Sequence, residues 1–359
     1  MIDRLSNQIK DYAWGSRSAI ATLMGRPVPS PGPEAEMWLG AHPSGPSMLK
    51  RQGASLSLEQ VVAADPAREL GAATAERFGP RLPYLMKLIA VGAPLSLQVH
   101  PSAERARSGH EQGTYVDPYA KPELVCALTP FTALAGFRHP REAAELVGAL
   151  GVAALEPVVA RLRAGETLQA LRLLLEWPQE ERAGLVEAIA ARGDAMVGLL
   201  ARLYPRDPAV LAPLLMRRHE LRPGEALFLG AGVLHAYIEG FGVEIMSASD
   251  NVLRAGLTPK PIDVEELLAV TEPTTQPLGV EPSRHLYRVP TPEFSLGRAV
   301  NPRLRLDGGL PRILLCTEGE VLAGRQRLAA GESAFVSASA GDVEVHGRGT
   351  IFWAQPNLG

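Results

Sequence analysis

Residues 222–260 read RPGEALFLGAGVLHAYIEGFGVEIMSASDNVLRAGLTPK. The stretch opens with an apolar run, turns through Gly230 and Gly232, and delivers His235 just beyond the turn. Glycines at those positions permit a tight connection between two strands. Further on, Gly242-Val-Glu-Ile-Met246 alternates, which predicts a strand with Glu244 facing away from Val243 and Ile245. The segment then gathers Asp250, Asn251, Arg254 and Lys260 into one loop-like run. A solvated charged loop would explain that composition, but its closeness to His235 and Glu244 argues for a site.

Two earlier motifs offer partners. Leu95-Ser-Leu-Gln-Val-His100 alternates strictly, so Gln98 and His100 project side by side from one face. In Lys121-Pro-Glu123, Pro122 biases Lys121 towards extended backbone, and Lys121 and Glu123 share a face if the strand begins there. Taken singly, the first motif reads as a structural pair and the second as a surface ion pair of little energetic weight. The run 82–94, LPYLMKLIAVGAP, reads as a buried strand with one charge, Lys87, either snorkelling or functional. Lysine occurs only at positions 10, 50, 87, 121 and 260, and the last three fall in these motifs. Where arginine is the default cation, a retained lysine points to a compact point charge or a titratable amine.

Residues 1–58 are short apolar pieces broken by Gly and Pro, as loops and short strands require. Trp14 stands out in DYAWGS, and Glu36 and Trp38 in EAEMWLGAHPSGPS. Core packing accounts for both tryptophans taken alone, and His42 reads as a loop histidine. Residues 57–79 read as helical, with Ser57 an N-cap and Pro66 a break. Residues 102–120 read as a polar connection. Residues 140–219 change texture, to Ala/Leu-rich sequence with apolar spacings of three and four, which predicts four to six short amphipathic helices and no catalytic residue. Strand character returns after Leu221. In the C-terminal part, Gly331-Glu-Ser-Ala-Phe335 echoes Gly224-Glu-Ala-Leu-Phe228, but Asp342 stands where His235 would fall.

The net charge of −3 and pI near 6.3 provide no global basic field for nucleic acid or an anionic membrane. No apolar stretch approaches the roughly 18 residues needed to span a bilayer, and the first residues lack the apolar core of a signal peptide. Cys126 and Cys316 sit in apolar runs and read as buried free thiols, which fits a cytoplasmic location.

Gln98, His100, Glu123 and His235 together form a plausible ligand set for a divalent metal. Zinc accepts imidazole and carboxylate, and a structural zinc would favour thiolates, so the set points to a catalytic or substrate-positioning metal. The G-x5-G-x-G-x-x-H pattern ending at His235 resembles the second motif of cupins and implies a double-stranded β-helix, or jelly-roll, barrel. The motifs YLMKLI, LSLQVHP, KPELVCALTPFTALAGFR, PGEALFLGAGVLHAY and GVEIMSASDNVLRAGLTPK are more specific. With the early DYAWGS and EMWLGAHPSGPS, they resemble the type I phosphomannose isomerase family as far as about Asp263.

The resemblance implies a fold that is mainly β with an α-helical insertion. Two cupin-type jelly-roll domains would be joined by a helical one: a discontinuous metal-binding unit of residues 1–138 and 220–265, helices at 139–219, and a C-terminal jelly roll at 266–359 without a metal. It implies an enzyme with one Zn2+ per chain, interconverting mannose 6-phosphate and fructose 6-phosphate by way of a cis-enediol, in mannose metabolism and GDP-mannose precursor supply. Carried over by motif, Gln98, His100, Glu123 and His235 are the zinc ligands and Arg254 is the active-site arginine. Lys87, Lys121, Glu244 and Lys260 are pocket residues, and Trp14 and Glu36 match motif positions lining the pocket. On the chemistry, Glu244 is the expected base with Lys121 second, and Asp250 is counted with Trp14, Glu36, Lys87 and Lys260 as substrate-binding. One departure stands out: the family commonly carries histidine before Lys-Pro-Glu, often after asparagine, and here Tyr119-Ala120 replaces them. The expected partner is a phosphorylated hexose bound by a monomer, with neither nucleic acid nor membrane involved. An iron-dependent cupin oxygenase and a non-catalytic sugar-phosphate-binding cupin are the alternative readings.

Overall fold

The alternation at Gly242–Met246 is part of a 13-residue strand, His235–Ser247, about which the first sheet is arranged. A computed structural model describes residues 1–358 of the chain. The first half of this strand pairs with Leu97–Val99 and Phe131–Phe137, and the second half with Tyr84–Val91 and Glu123–Ala127. Exchanging partners midway requires a bend. The register slips between Tyr237 and Glu239, and Gly240 takes φ +128, where a Cβ would stand 2.7 Å from the Phe131 ring. The sheet therefore curls. Glu36–Gly40 and then Gln8–Lys10 extend it beyond Tyr84–Val91, and Ala226–Leu229 extends it beyond Glu123–Ala127, for 11 strands in all.

A second curled antiparallel sheet of eight strands is built on the long pair Arg312–Ala323 and Val343–Gln355. Its edge is Ile2–Leu5, which pairs with Ser333–Val336, so the chain's first strand lies apart from the sheet that carries His235. Conversely, Leu278–Val280 pairs with Ala226–Leu229 in the first sheet. The sequence reading grouped each of these strands with the other unit. Local alternation identifies a strand but does not say which free edge it will occupy.

Between the strands of the first sheet, residues 140–215 form six α-helices: Pro140–Ala149, Glu156–Arg163, Thr167–Leu175, Arg182–Ala190, Ala195–Leu203 and Ala212–Leu215. Their apolar faces, with Val147, Val159, Leu171, Ile189 and Leu200, share one core with Leu97 and Leu134 of the sheet and with Leu234 just before its central strand. Each such side chain contributes about 1.5–3 kcal/mol when buried. In the segment after them, Met216–Leu221, the helical texture expected as far as residue 219 has already given way. The segment is a strand against Phe131–Phe137, with Arg217 and Arg218 turned to solvent. A further helix, Ala103–Glu111, capped by Ser102, lies in the stretch read as a polar connection. It buries only Ala106 and Gly109, too little apolar surface to leave a period in the sequence. The N-cap at Ser57 is present and forms a capping box with Gln60, and Pro66 opens a new helix after Ala64. No helix among the described residues is long and apolar enough to cross a membrane.

Candidate metal centre and active-site cleft

Strand register brings the separated motifs together. His235 lies opposite Gln98, Gln98 is also opposite Arg254, and Glu123 lies between Met246 and Leu229. The ligand atoms of His100, Glu123 and His235 all fall within 4.8 Å of one another, and all three side chains are buried. His100 Nε2 is 3.2 Å from Glu123 Oε1, and His235 Nε2 is 3.4 Å from Glu123 Oε2.

The hydrogen bonds behind these residues decide what the cluster can hold. His100 Nδ1 donates to the Asn251 carbonyl at 2.8 Å, and His235 Nδ1 donates to the Val233 carbonyl at 2.9 Å. Each of these bonds turns the ring's Nε2 towards Glu123. Burial lowers the His100 pKa to about 4, so this ring is neutral near pH 7. Burial alone would push the Glu123 carboxyl up. Lys121, whose Nζ is 3.1 Å from Oε1, leads the groups that outweigh it and hold the carboxyl well below the usual range. The buried atoms His100 Nε2 and Glu123 Oε2 have no hydrogen-bond partner. Acceptor lone pairs facing one another without a proton among them are satisfied by a cation, so these residues fit a metal ion. The Gln98 amide nitrogen stands 3.3 Å from His235 Nε2. A half-turn of that amide presents its oxygen in the same place.

The cluster lies at the bottom of a cleft of about 750 Å³ whose walls include Trp14, Glu36, Lys87, Gln98, Lys121, Glu123, Glu244, Asp250, Arg254 and Lys260. Every pocket residue expected from the sequence is among them. Lys87 and Glu244 are direct cross-strand partners, with Nζ 3.3 Å from Oε2, and Lys87 also reaches Glu36 Oε1 at 3.6 Å. Burial works against the Lys87 charge, but Glu36 and Glu244 outweigh it and raise its pKa. The Glu244 carboxyl is raised chiefly by burial, with Lys87 opposing and Glu123 and Glu36 adding to the shift. Arg254 and Lys260, by contrast, have no carboxylate within ion-pair distance among the described residues. They leave two uncommitted cations on the cleft wall.

Several cleft residues escaped the sequence reading. Tyr237 is buried and its Oη has no hydrogen-bond partner. Burial first, then the Glu244 charge, push its phenol well above the usual range, so it remains a donor. Its position two residues after His235, on the same strand face, was a usable signal. His42 does lie in a loop, but it is only 5% exposed, and its Nε2 stands 3.4 Å from Asp250 Oδ1. Trp38 packs in the wall and donates Nε1–H to Glu36 at 2.6 Å. Leu203 and Tyr204 extend the wall from the helical segment, and Tyr204 Oη donates to the Pro94 carbonyl at 3.2 Å. Beside the cleft, Ala120 stands where the family's histidine would be, its carbonyl accepting from the Ser247 hydroxyl. Asp342, the echo of His235, instead accepts from the Gly308 amide and pairs with Arg305. The His100–Glu123–His235 group is the one such metal-capable cluster among the described residues.

Comparison with known proteins agrees with the motifs. Residues 2–140 match the model of the phosphomannose isomerase type I catalytic domain. The chain is 36% identical to mannose-6-phosphate isomerase of Escherichia coli (strain K12), over 98% of each protein. It is 32% identical to the Homo sapiens enzyme of the same name, over 89% of this chain and 88% of the human one. A single-alanine variant of phosphomannose isomerase from Salmonella typhimurium superposes with a TM-score of 0.91 at 33% identity, covering 99% of both chains. A zinc-bound mannose 6-phosphate isomerase superposes with a TM-score of 0.90, again at 33% identity over 99% of each chain. On its sequence, its fold and its His–Glu–His cluster, this chain belongs to the type I phosphomannose isomerase family.

Proposed function

We propose that this chain interconverts D-mannose 6-phosphate and D-fructose 6-phosphate with zinc as its metal. The observation that carries the proposal is the convergence of His100, Glu123 and His235, with His100 Nε2 and Glu123 Oε2 left without a partner, beside a cleft whose wall holds the uncommitted cations Arg254 and Lys260. His100, Glu123 and His235 would hold the ion, with the Gln98 amide oxygen as fourth ligand. When bound, zinc supplies a Lewis acid that orients and polarises the sugar oxygens.

The chain's own groups do the rest. Isomerisation moves one proton between C1 and C2 and another between O1 and O2. Glu244, buried and raised in pKa, is suited to take the carbon proton, because a base works best when its pKa approaches the operating pH. Lys121 is the second candidate. Lys87 holds Glu244 in place and balances its charge. Tyr237 keeps its phenolic proton and offers a hydrogen bond to developing enediolate oxygen. Arg254 and Lys260 face the cleft as anchors for the phosphate, with a bidentate grip available to the arginine. Trp14, Glu36 and Asp250 shape the remainder of the substrate pocket.

The curled sheets fit two cupin-type jelly rolls: a metal-binding unit of 1–138 with 220–265, a helical unit at 139–219, and a C-terminal barrel at 266–359. Two exchanges modify this division, residues 2–5 to the second barrel and 278–280 to the first. One protomer holds every residue of the site, so the monomer is the working unit, and the buried free thiols suit the cytoplasm. Whole-length kinship with isomerases leaves neither the oxygenase nor the binding-protein reading favoured. A coupled assay following fructose 6-phosphate formation from mannose 6-phosphate, on zinc-loaded protein, tests the proposal. Turnover no faster than the uncatalysed rate would end it.

A further inference from the structure

A second cavity, of about 650 Å³, lies where the two sheets meet. Its volume falls within the range of small-molecule sites. The first sheet contributes Gly240 and Phe241, with Thr129 from a turn between two of its strands, and the second contributes Arg298, Glu318 and Thr350. Arg298 lies against Gly224, whose missing side chain leaves room for it: a Cβ there would meet Nη1 at 3.2 Å. Its guanidinium stands 5.9 Å from the Phe352 ring centroid and has no carboxylate within ion-pair distance among the described residues. Glu318 lines the same cavity and accepts from the Thr350 hydroxyl at 3.1 Å. A cation and an anion thus face one cavity without pairing. The arrangement fits a ligand with a phosphate at one end and hydroxyl donors at the other. Arg298 can grip the phosphate, and Glu318 accepts from hydroxyls while repelling a second phosphate.

This cavity shares a wall with the catalytic cleft. Trp14 and Ala93 line the cleft, whereas Ser16 and Val91 line the second cavity. The two segments cross as bare backbone: Ser16 donates to the Ala90 carbonyl at 2.9 Å, and Gly92 and Ala93 donate to the Trp14 carbonyl at 2.9 and 3.0 Å. A Cβ on Gly92 would stand 3.0 Å from the Ser16 nitrogen, and one on Gly15 would stand 2.5 Å from the Ala35 nitrogen. Displacement of one segment is therefore passed to the other without slack.

We propose that the cavity between the sheets is a second, regulatory site for a small polyol phosphate monoester, with Arg298 gripping its phosphate and Glu318 accepting from its hydroxyls. Occupancy acts on the catalytic cleft through the Trp14–Ser16 crossing.

Calorimetry on the zinc-loaded full chain with sorbitol 6-phosphate, which has no carbonyl to isomerise, tests the site without relying on turnover. Two equivalents should bind to the wild type and one to Arg298→Ala. One equivalent in the wild type, or two in the variant, overturns the proposal. Glu318→Gln changes an exposed position and should tighten inorganic phosphate at the second site by about fivefold, as one like charge leaves. Unchanged or weaker binding refutes the assignment of ligand charge. In kinetics, sorbitol 6-phosphate should alter kcat as well as apparent KM in the wild type, and apparent KM alone in Arg298→Ala. Inhibition of the wild type confined to KM would rule out regulation.

Discussion

Replacing Lys87 by methionine removes the single cation between two buried carboxylates while keeping the shape of the strand Tyr84–Val91. Lys87 Nζ lies 3.3 Å from Glu244 and 3.6 Å from Glu36, and all three side chains are below 10% exposure. Breaking a buried ion pair from one side costs about 3–5 kcal/mol, because the remaining charge is left desolvated. With an unfolding entropy of about 2.1 cal/mol/K per residue over 359 residues, the melting midpoint should fall by about 4–7 °C at pH 8. The loss should depend on pH in a definite sense. Burial already holds the Glu244 carboxyl above its ordinary value, and without Lys87 it rises further. A carboxyl raised in the folded state contributes more stability as pH falls, because the folded protein then binds more protons than the unfolded one. The midpoint gap between wild type and variant should therefore narrow from pH 8 to pH 5. Calorimetric melts of both zinc-loaded proteins across that range are the assay. A midpoint within about 1 °C of wild type at pH 8, or a gap that widens on acidification, would refute the reasoning.

Chelation should abolish isomerisation and lower the melting midpoint, and added zinc should restore both; full activity in metal-free protein would remove the metal from the reaction. Arg254→Ala should lower kcat/KM by about 10²–10³-fold, the usual scale for losing a fixed positive donor at a developing charge, with an unchanged circular dichroism spectrum. Near-normal turnover would take Arg254 out of the site. Glu244→Gln should slow exchange of the substrate C2 proton with solvent by about 10²–10⁴-fold, whereas wild-type exchange would exclude it as the base. Tyr237→Phe should reduce kcat more than it changes KM, since its hydrogen bond is expected in the transition state. A change in KM alone would return Tyr237 to a packing role.

The sequence by itself identified the chemistry. Strict alternation around Gln98, His100 and Glu244 placed those side chains on strand faces, because backbone pleating forces successive residues apart and alternate ones together. The glycine turn before His235 and the ordered motifs led to the family, and all twelve expected site residues line the cleft or form the metal cluster beneath it. Tertiary structure alone decided the relations between them. That Lys87 lies against Glu244, and Gln98 lies between His235 and Arg254, follows from strand register between segments more than a hundred residues apart. Local pattern carries no record of that register. His42 gave no signal because its contact with Asp250 depends on a segment that arrives from far along the chain. The strand Ile2–Leu5 crossed to the second sheet for the same reason: a strand's side-chain period is written in its residues, but the edge that completes its hydrogen bonds belongs to the assembled fold.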